Sequence, residues 1–416
     1  MSSGRAVAGV LAGAWRSAPP QLEMPPEEVA TITPLFLASG AGALAWKRLR
    51  HFSDQLLIIA LKQLQETYLG YAIHAAEHEH QVAEVFRVLR SAGVEPILLK
   101  GWAIGRLYPE AGLRPTGDID LCVAPTQHAK AQAVLNSPEY RRFWVDLEHD
   151  EISKFGARSF DELYDCSELV KLEGTLVRVL GAEDHLRVLC FHLLKHGAWR
   201  PLWLCDVAAA LESRPATFDW ERCLGRNELW ASWVLSTIRL ANRLLGAQIQ
   251  DLPMKETGNS LPGWMVACVL KQWNAPYPPT LPLFSVQIKK SWRNPAEILR
   301  ALCKRWPNAI QATVDANGAF DERARLPFQL ENCMVRAAKL LPVRVVDEFQ
   351  HVWTQDRYSP EGVTRYPLHR RNSASSVLEP GRRSSADGQI ARAAILKFQR
   401  LFPVLRNPDG RDIEPK

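Results

Sequence analysis

The sequence predicts an α+β protein in which a small sheet lies between N-terminal helices and a large C-terminal helical region. Three observations lead to this prediction. The chain has 416 residues, which is more than one compact domain usually contains. Short apolar runs typical of strands alternate with helical patterns over residues 76–180. On both sides of that stretch, apolar residues recur every three or four positions, as they do in amphipathic helices.

Residues 1–75 are predicted as an N-terminal helical segment. Apolar residues recur at helical spacing in Asp54–Leu64 and again, beyond this segment, in His78–Arg90. Gly93 then marks the end of the second helix, because glycine readily adopts the left-handed conformation found at helix C-termini.

Residues 76–180 are predicted as an α/β core. A short helix is expected over Ala103–Leu107, and Thr126 is expected to cap a helix that ends near Leu135. Four strands are predicted from runs rich in apolar and β-branched residues. They are Val94–Leu99, Asp118–Val123, Phe143–His149 and Thr175–Leu180.

Residues 181–358 are predicted as a helical domain, in which Glu183–His196 and Trp230–Leu245 are strongly apolar helices. Residues 359–388 are rich in Ser, Arg, Pro and Gly, have little to bury, and are predicted to form a flexible basic linker. Residues 389–416 begin with an amphipathic pattern and are predicted as a C-terminal helix and tail.

The composition indicates a soluble, cytoplasmic protein. Eight cysteines lie far apart, without the CxxC or Cys/His spacing of a zinc site, so reduced thiols are expected. The apolar stretch at residues 6–15 is short and interrupted by glycine, unlike a signal peptide, and no apolar run reaches the length of about 18 residues that a membrane span needs. The net charge of +6 is spread along the chain, which helps to bind a phosphorylated ligand but does not favour nucleic acid as a partner.

A pair of aspartates is the most informative feature of the sequence. Asp118 and Asp120 flank one residue of a predicted strand, so their side chains point to the same face. Two such carboxylates repel each other unless a cation lies between them, and Mg²⁺ prefers carboxylate ligands. Asp146 on the next predicted strand is the expected third carboxylate. Glu148 and Asp150 lie on the same face of that strand and remain alternatives to it.

The segment before this pair has features of a phosphate-binding loop. Gly101 ends the first predicted strand, and glycine lets backbone N–H groups come close to an anion at the start of the following helix. Lys100 is expected either to contact that anion or to cap the strand end. Arg114 is expected either to bind a phosphate or to neutralise the carboxylates.

The motifs LLKG (98–101), LRPTGDIDL (113–121) and VDL (145–147) together resemble the DNA polymerase β-type nucleotidyltransferase superfamily. Within it, the chain is similar to a large, poorly characterised family of bacterial proteins, whose signature reads L-K-G and, about a dozen residues later, R-P-x-G-D-I-D-L. Residues 186–208 also resemble the helical part of that family. The likeness covers residues 90–210 and implies a small mixed-sheet nucleotidyltransferase core.

The resemblance also implies roles for individual residues. In the superfamily, the glycine motif holds the triphosphate, and the aspartate pair with a third acidic residue binds two divalent metal ions. The predicted nucleotide-binding residues are Lys100, Gly101, Arg114 and Gly117, and the predicted catalytic and metal-binding residues are Asp118, Asp120 and Asp146.

The implied reaction is a two-metal, in-line displacement on a nucleoside triphosphate, with two Mg²⁺ ions, or Mn²⁺ in their place. The acceptor hydroxyl is left open between a small molecule, such as a sugar or an antibiotic-like compound, and a protein. Trp102 departs from the superfamily, which usually has Gly or Ser after the motif glycine. This departure concerns the contacts to the triphosphate and not the metal pair. Because metal-binding carboxylates can persist without catalysis, the alternative is a non-catalytic protein that binds a nucleotide or a partner on the same fold.

His192 and His196 are one helical turn apart, which is also a spacing found at zinc sites. No third ligand is evident, so a structural role or a contact with substrate is expected instead. Asp206 is a candidate partner for one of these histidines. A group of tryptophans is expected to lie in the core and not to stack on a base. These are Trp199, Trp203, Trp220, Trp230 and Trp233.

Overall fold

The computed structural model describes residues 2–148, 158–253, 261–275 and 306–336. Residues 1–333 belong to one structural unit. The predicted linker, the predicted C-terminal helix and tail, and Asp150 lie outside the described residues, as does His149, the last residue of the predicted third strand.

Three helices precede the core: α1 (Ser3–Leu11), α2 (Pro26–Ser39) and α3 (Gly42–Leu49). Helix α2 begins with Pro26, and two glutamates in its first turn oppose the positive end of the helix dipole. Gly40 ends it with a left-handed φ of 75°.

Helix α4 (Ile58–Ser91) is 34 residues long and follows a short 3-10 turn at Gln55–Leu57. It is continuous, with a length of about 50 Å at about 1.5 Å per residue. Its last third buries Val82, Phe86 and Leu89 against the sheet. One rigid element therefore links the N-terminal helices to the core, across the predicted boundary at residues 75–76.

The sheet has five strands: β1 (Ile97–Leu98), β2 (Ile119–Cys122), β3 (Val145–Glu148), β4 (Glu168–Leu172) and β5 (Thr175–Val179). Their spatial order is β3-β2-β1-β5-β4. The β2–β3 and β1–β5 pairs are parallel, and the β1–β2 and β4–β5 pairs are antiparallel. This mixed sheet with helices confirms the predicted α+β fold class.

All four predicted strands are present, each shorter than predicted, but β4 is missing from the prediction. It is a mostly exposed edge strand whose charged and apolar residues do not alternate regularly, and Leu169 is 49% exposed. Glu173 and Gly174, with φ of 45° and 78°, form the tight turn into β5. The two left-handed residues match the turn that a two-residue hairpin needs.

Between the strands lie α5 (Trp102–Gly105), α6 (His128–Leu135) and α7 (Phe160–Asp165). The sheet is covered on both faces. Phe86 of α4 packs with Leu98 and Leu121 on one face, whereas Ile97 and Leu99 pack with other apolar residues on the opposite face. This alternation along β1 follows from the two-residue period of a strand.

In the described part of the chain, residues 326–336 are also helical. Before them, the helices that follow the sheet are α8 (Ala182–Lys195), α9 (Pro201–Glu212), α10 (Trp220–Leu224), α11 (Glu228–Leu245), α12 (Gly263–Gln272) and α13 (Ala309–Asp315). They share one apolar core with α1–α3, in which Leu11 and Phe36 lie in the same cluster as Leu189, Leu204 and Ile238. The N-terminal and C-terminal helices therefore stabilise each other.

In the described part of the chain, none of the helices combines the length and the hydrophobicity that a bilayer crossing requires. Seven cysteines fall in this part, and all of them are free thiols.

Gly112 fixes the loop that leads into β2. Its φ is 84°, and a Cβ at this position would come within 2.6 Å of the Ala72 backbone in α4. We expect Gly112→Ala to lower the free energy of unfolding by about 2–4 kcal/mol, because left-handed strain and overlap with backbone add. Gly246→Ala is the matched control, since Gly246 has a φ of 66° and open space around it. Urea unfolding measures both, and equal losses would contradict the close approach.

Candidate active site

A cleft of about 670 Å³ opens where β1, β2 and β3 meet the end of α8 and the start of α9. It is lined by residues from the two sides of the molecule. From the sheet and its loops come Lys100, Gly101, Arg114, Pro115, Thr116, Gly117, Asp118, Asp120, Asp146, Leu147 and Glu148, and from the helices come His192, Lys195, His196, Arg200, Leu202 and Trp203.

Three aspartates meet at the sheet side of the cleft. Asp118 directly precedes β2, Asp120 lies within it, and Asp146 on β3 is the parallel register partner of Asp120. One carboxylate oxygen from each lies within 4.8 Å of the others. Asp118 and Asp146 are exposed, whereas Asp120 is buried. Hard oxygen donors at this separation suit Mg²⁺ or Mn²⁺.

Lys100 lies inside this acidic cluster. Its Nζ is 2.8 Å from Oδ1 of Asp120 and 3.6 Å from Oε1 of Glu148. Burial alone would lower the pKa of Lys100, but the charges of Asp120 and Glu148 outweigh it and the pKa is raised. Burial raises the pKa of Asp120, against the opposing effect of Lys100. The ammonium of Lys100 is therefore a charged group that lines the cleft, and its contact with an anion stays a prediction.

Of the two alternatives to Asp146, Asp150 lies outside the described residues, and Glu148 occupies a different position from Asp146. Glu148 lies two residues after Asp146 on β3, and its side chain is buried. Its carboxylate contacts the ammonium of Lys100, which also contacts Asp120. The sequence left the choice open because Asp146 and Glu148 share a face of the strand. Asp146 is the one whose carboxylate joins Asp118 and Asp120.

Gly101 connects β1 to α5 with a φ of 63°. A Cβ there would lie 3.4 Å from the carbonyl oxygen of Asp118, so the loop and the start of β2 are in close contact. Helix α5 is a single turn. Trp102 after this glycine has a buried side chain whose Nε1 donates to Oε1 of Glu79 at 3.0 Å, and it is absent from the cleft lining.

Arg114 lines the cleft and forms an ion pair at its back. Its Nη2 lies 3.1 Å from Oδ2 of Asp206, and the hydroxyl of Tyr108 donates to Oδ1 of the same carboxylate at 2.8 Å. The carboxylate beside Arg114 is therefore Asp206 and not one of the aspartate pair. Likewise, Asp206 bonds to Arg114 and Tyr108, so the expectation that it partners a histidine is wrong.

An aromatic wall faces the carboxylates across the cleft. The ring centroid of His192 lies 4.7 Å from that of His196 and 4.6 Å from that of Trp203. Burial and then the charge of Lys100 hold the pKa of His192 well below its usual range, so this ring is neutral at pH 7. Trp203 is half-buried and packs against the helical core, as predicted, but its side chain also lines the cleft.

Four residues on the helix side of the cleft were not predicted as site residues: Lys195, Arg200, Leu202 and Trp203. Lys195 lies three residues after His192 on α8, so the helical period that linked the two histidines also pointed to it. Arg200 and Trp203 follow a chain reversal at Gly197 and Ala198, with φ of 68° and 56°. Neither carries a local sequence signal.

Among the described residues, a cluster of three or more metal-ligating side chains forms only at Asp118, Asp120 and Asp146. His192 and His196 belong to no such cluster there, and their predicted structural or substrate-contacting role stays a prediction.

His185, a buried residue of α8, makes the fold sensitive to acid. Burial, with smaller effects from Arg106 and Arg114, lowers its pKa from 6.5 to about 3. The unfolded chain therefore binds more protons than the native state between these values, and stability falls as the pH falls. We expect His185 to lower the free energy of unfolding by about 1.4 kcal/mol for each unit by which the pH falls between pH 6 and 4. Urea unfolding of His185→Gln should show a correspondingly smaller slope, and an unchanged slope would contradict the buried neutral state.

The fold and the cleft define a class of protein. Acidic residues on two adjacent strands of a small mixed sheet, with a glycine turn and a lysine beside them, are typical of enzymes that transfer groups from nucleotides. A family model described as an uncharacterised nucleotidyltransferase matches residues 25–246, which is more than half of the chain. The chain belongs to this nucleotidyltransferase family. The match includes every residue that lines the cleft.

Searches among curated proteins and among solved structures give no significant match. Family membership thus assigns nucleotidyl transfer as the general class of activity and a nucleoside triphosphate as the class of substrate.

Proposed function

We propose that the protein transfers a nucleoside monophosphate from a nucleoside triphosphate to an acceptor hydroxyl, with Mg²⁺ as the metal and Mn²⁺ as its substitute. The observation that carries this proposal is the meeting of Asp118, Asp120 and Asp146 within 4.8 Å in a cleft that also contains Lys100 and Arg114. Family membership supports the class of reaction.

The donor set fits a divalent metal ion. Three carboxylate oxygens come together, and the exposed Asp118 and Asp146 leave room for water or phosphate oxygens to complete the coordination. When bound, such an ion supplies positive charge to the reacting phosphate and lowers the cost of its developing negative charge. The resemblance to the superfamily implies two ions.

The residues around the aspartates orient the triphosphate. Gly101 allows the backbone to come close to the phosphates, and the ammonium of Lys100 adds positive charge there. Arg114 is held in place by Asp206, so its guanidinium is available to a phosphate without a loss of side-chain freedom. Gly117 keeps the segment before β2 free of a side chain.

The proposed reaction is a single displacement at the α-phosphorus of the nucleotide. The acceptor oxygen forms a bond to the α-phosphorus, the bond from that phosphorus to the pyrophosphate oxygen breaks, and pyrophosphate leaves. The proton of the acceptor hydroxyl moves toward the carboxylate of Asp146. Positioning and electrostatic stabilisation account for most of the rate enhancement in such a site.

The acceptor is a small molecule or a protein hydroxyl, and it meets the wall formed by His192, His196 and Trp203. The neutral imidazole of His192 suits hydrogen bonding to a hydroxyl. A nucleic-acid acceptor is not favoured, because the net charge of +6 is spread along the chain.

The direct test is pyrophosphate release with ATP, GTP, CTP and UTP, each with Mg²⁺, in the presence of cell extract. We expect one nucleotide to give release together with a mass increase of one nucleoside monophosphate on an acceptor, as measured by mass spectrometry. Release that is equal for the wild type and for Asp118→Asn would contradict the assignment of the site.

Nucleotide binding without turnover is the second candidate function. The observation that favours it is Trp102, whose buried indole stands where the superfamily has a small residue or a hydroxyl to contact phosphate. Tight nucleotide binding with no pyrophosphate release over a broad acceptor panel would favour this candidate.

A further inference from the structure

The carboxylates of the candidate site already hold a cation that belongs to the chain. Nζ of Lys100 lies 2.8 Å from Asp120 and 3.6 Å from Glu148. The side chain of Lys100 is 12% exposed, and those of the two acids are each 9% exposed, so water screens these contacts little. We infer that the ammonium of Lys100 takes the place of one divalent ion, so that the site binds a single metal ion. This inference rests on the proposed function.

The backbone fixes the ammonium beside Asp120. Lys100 follows β1 after one residue, and the N–H of that residue, Leu99, donates to the carbonyl of Asp120 at 3.0 Å. The two strands therefore hold the bases of both side chains at a constant separation. Moving the ammonium away would remove this positive charge from the buried Asp120, and an uncompensated buried carboxylate is strongly unfavourable.

The separation between the carboxylate oxygens of the three aspartates agrees with the binding of one ion. At metal–oxygen distances of about 2.1 Å, ligands on opposite sides of one Mg²⁺ lie about 4.2 Å apart. The oxygens of Asp118, Asp120 and Asp146 lie within 4.8 Å of one another, which is close to that span. Two-metal sites separate their ions by about 4 Å, and each ion needs its own ligands.

The surroundings of Asp120 disfavour a second divalent ion. The acidic side chains among the described lining residues are those of Asp118, Asp120, Asp146 and Glu148. Nζ of Lys100 already contacts Asp120 and Glu148, so a second ion would compete with it for these ligands. A divalent ion and an ammonium at this separation repel each other, and little water is present to screen them. Lys100 then provides the fixed positive charge that a second ion provides in two-metal sites.

Counting bound Mn²⁺ tests this inference without any measurement of activity. Free Mn²⁺ is followed by electron paramagnetic resonance during titration of the folded protein. We expect one ion per chain for the wild type and for Lys100→Arg, which keeps the charge. We expect two ions for Lys100→Met, which removes the charge at nearly constant volume. Asp118→Asn is the control that shows which bound ion belongs to this site.

Two results would overturn the role of Lys100: two ions at this site in the wild type, or one ion in a folded Lys100→Met variant. Circular dichroism checks the fold, and Lys100→Gln replaces Lys100→Met if that variant does not fold. A wild-type protein that binds no Mn²⁺ would instead contradict the metal site of the proposed function, so the two failures are distinguishable.

Discussion

Asp118→Asn is expected to lower the rate of nucleotidyl transfer by about 10³-fold while the fold remains intact. Asp118 is exposed and meets Asp120 and Asp146 in the cleft, so the substitution removes a proposed metal ligand and leaves the core unchanged. The amide cannot supply the negative charge that holds the ion. Pyrophosphate release at saturating nucleotide and Mg²⁺ measures the effect.

Asp165→Asn is the matched control for this prediction. Asp165 is an equally exposed aspartate at the end of α7, outside the cleft lining. We expect wild-type activity from it. Equal activities for the two variants would remove Asp118 from the catalytic site, and equal losses would indicate a general effect of lost negative charge. Asp120 is the less informative position, because its substitution also breaks the pair with Lys100.

Asp206→Ala is expected to cause the largest loss of stability, about 3–5 kcal/mol. The side chain of Asp206 is 1% exposed and that of Arg114 is 11% exposed, and they form an ion pair at 3.1 Å. The substitution leaves a guanidinium buried without its charge partner and also deprives Tyr108 of its hydrogen-bond acceptor. The free energy of unfolding, measured in urea, checks the loss.

The double variant Arg114→Met with Asp206→Leu separates the cost of an unpaired charge from the value of the pair. Because it removes both charges, we expect it to be more stable than Asp206→Ala alone. A double variant that is less stable than the single variant would show that the pair itself stabilises the fold. A loss below about 1 kcal/mol for Asp206→Ala would contradict burial of the pair.

The aspartates on strands β2 and β3 were predictable because the geometry of a strand depends only on neighbouring residues. The alternation of side chains places Asp118 and Asp120 on one face from the sequence alone. Pairing of β2 with β3 then brings in Asp146 at a matching register. The order of the strands was not predictable from these patterns, since it depends on the packing of α4 and the helices on the two faces of the sheet.

The part of the site formed by helices α8 and α9 depends on contacts between distant parts of the chain. The bond between Arg114 and Asp206 joins residues 92 positions apart, and no local pattern marks such a pair. Trp203 resembles a core tryptophan in sequence, and it lines the cleft only because the chain reverses before α9. Edge strand β4 was missed for a related reason, because an exposed strand carries a weak apolar pattern.

The most direct test of the central claim, that the aspartate cluster transfers a nucleoside monophosphate, compares nucleotides labelled at two different phosphates. With Mg²⁺ and cell extract, the wild type should attach label from the α-phosphate to an acceptor and attach none from the γ-phosphate, whereas Asp118→Asn should attach neither. Transfer of the γ-label would identify a phosphoryl transferase instead. Label from the α-phosphate that persists in Asp118→Asn would contradict the account.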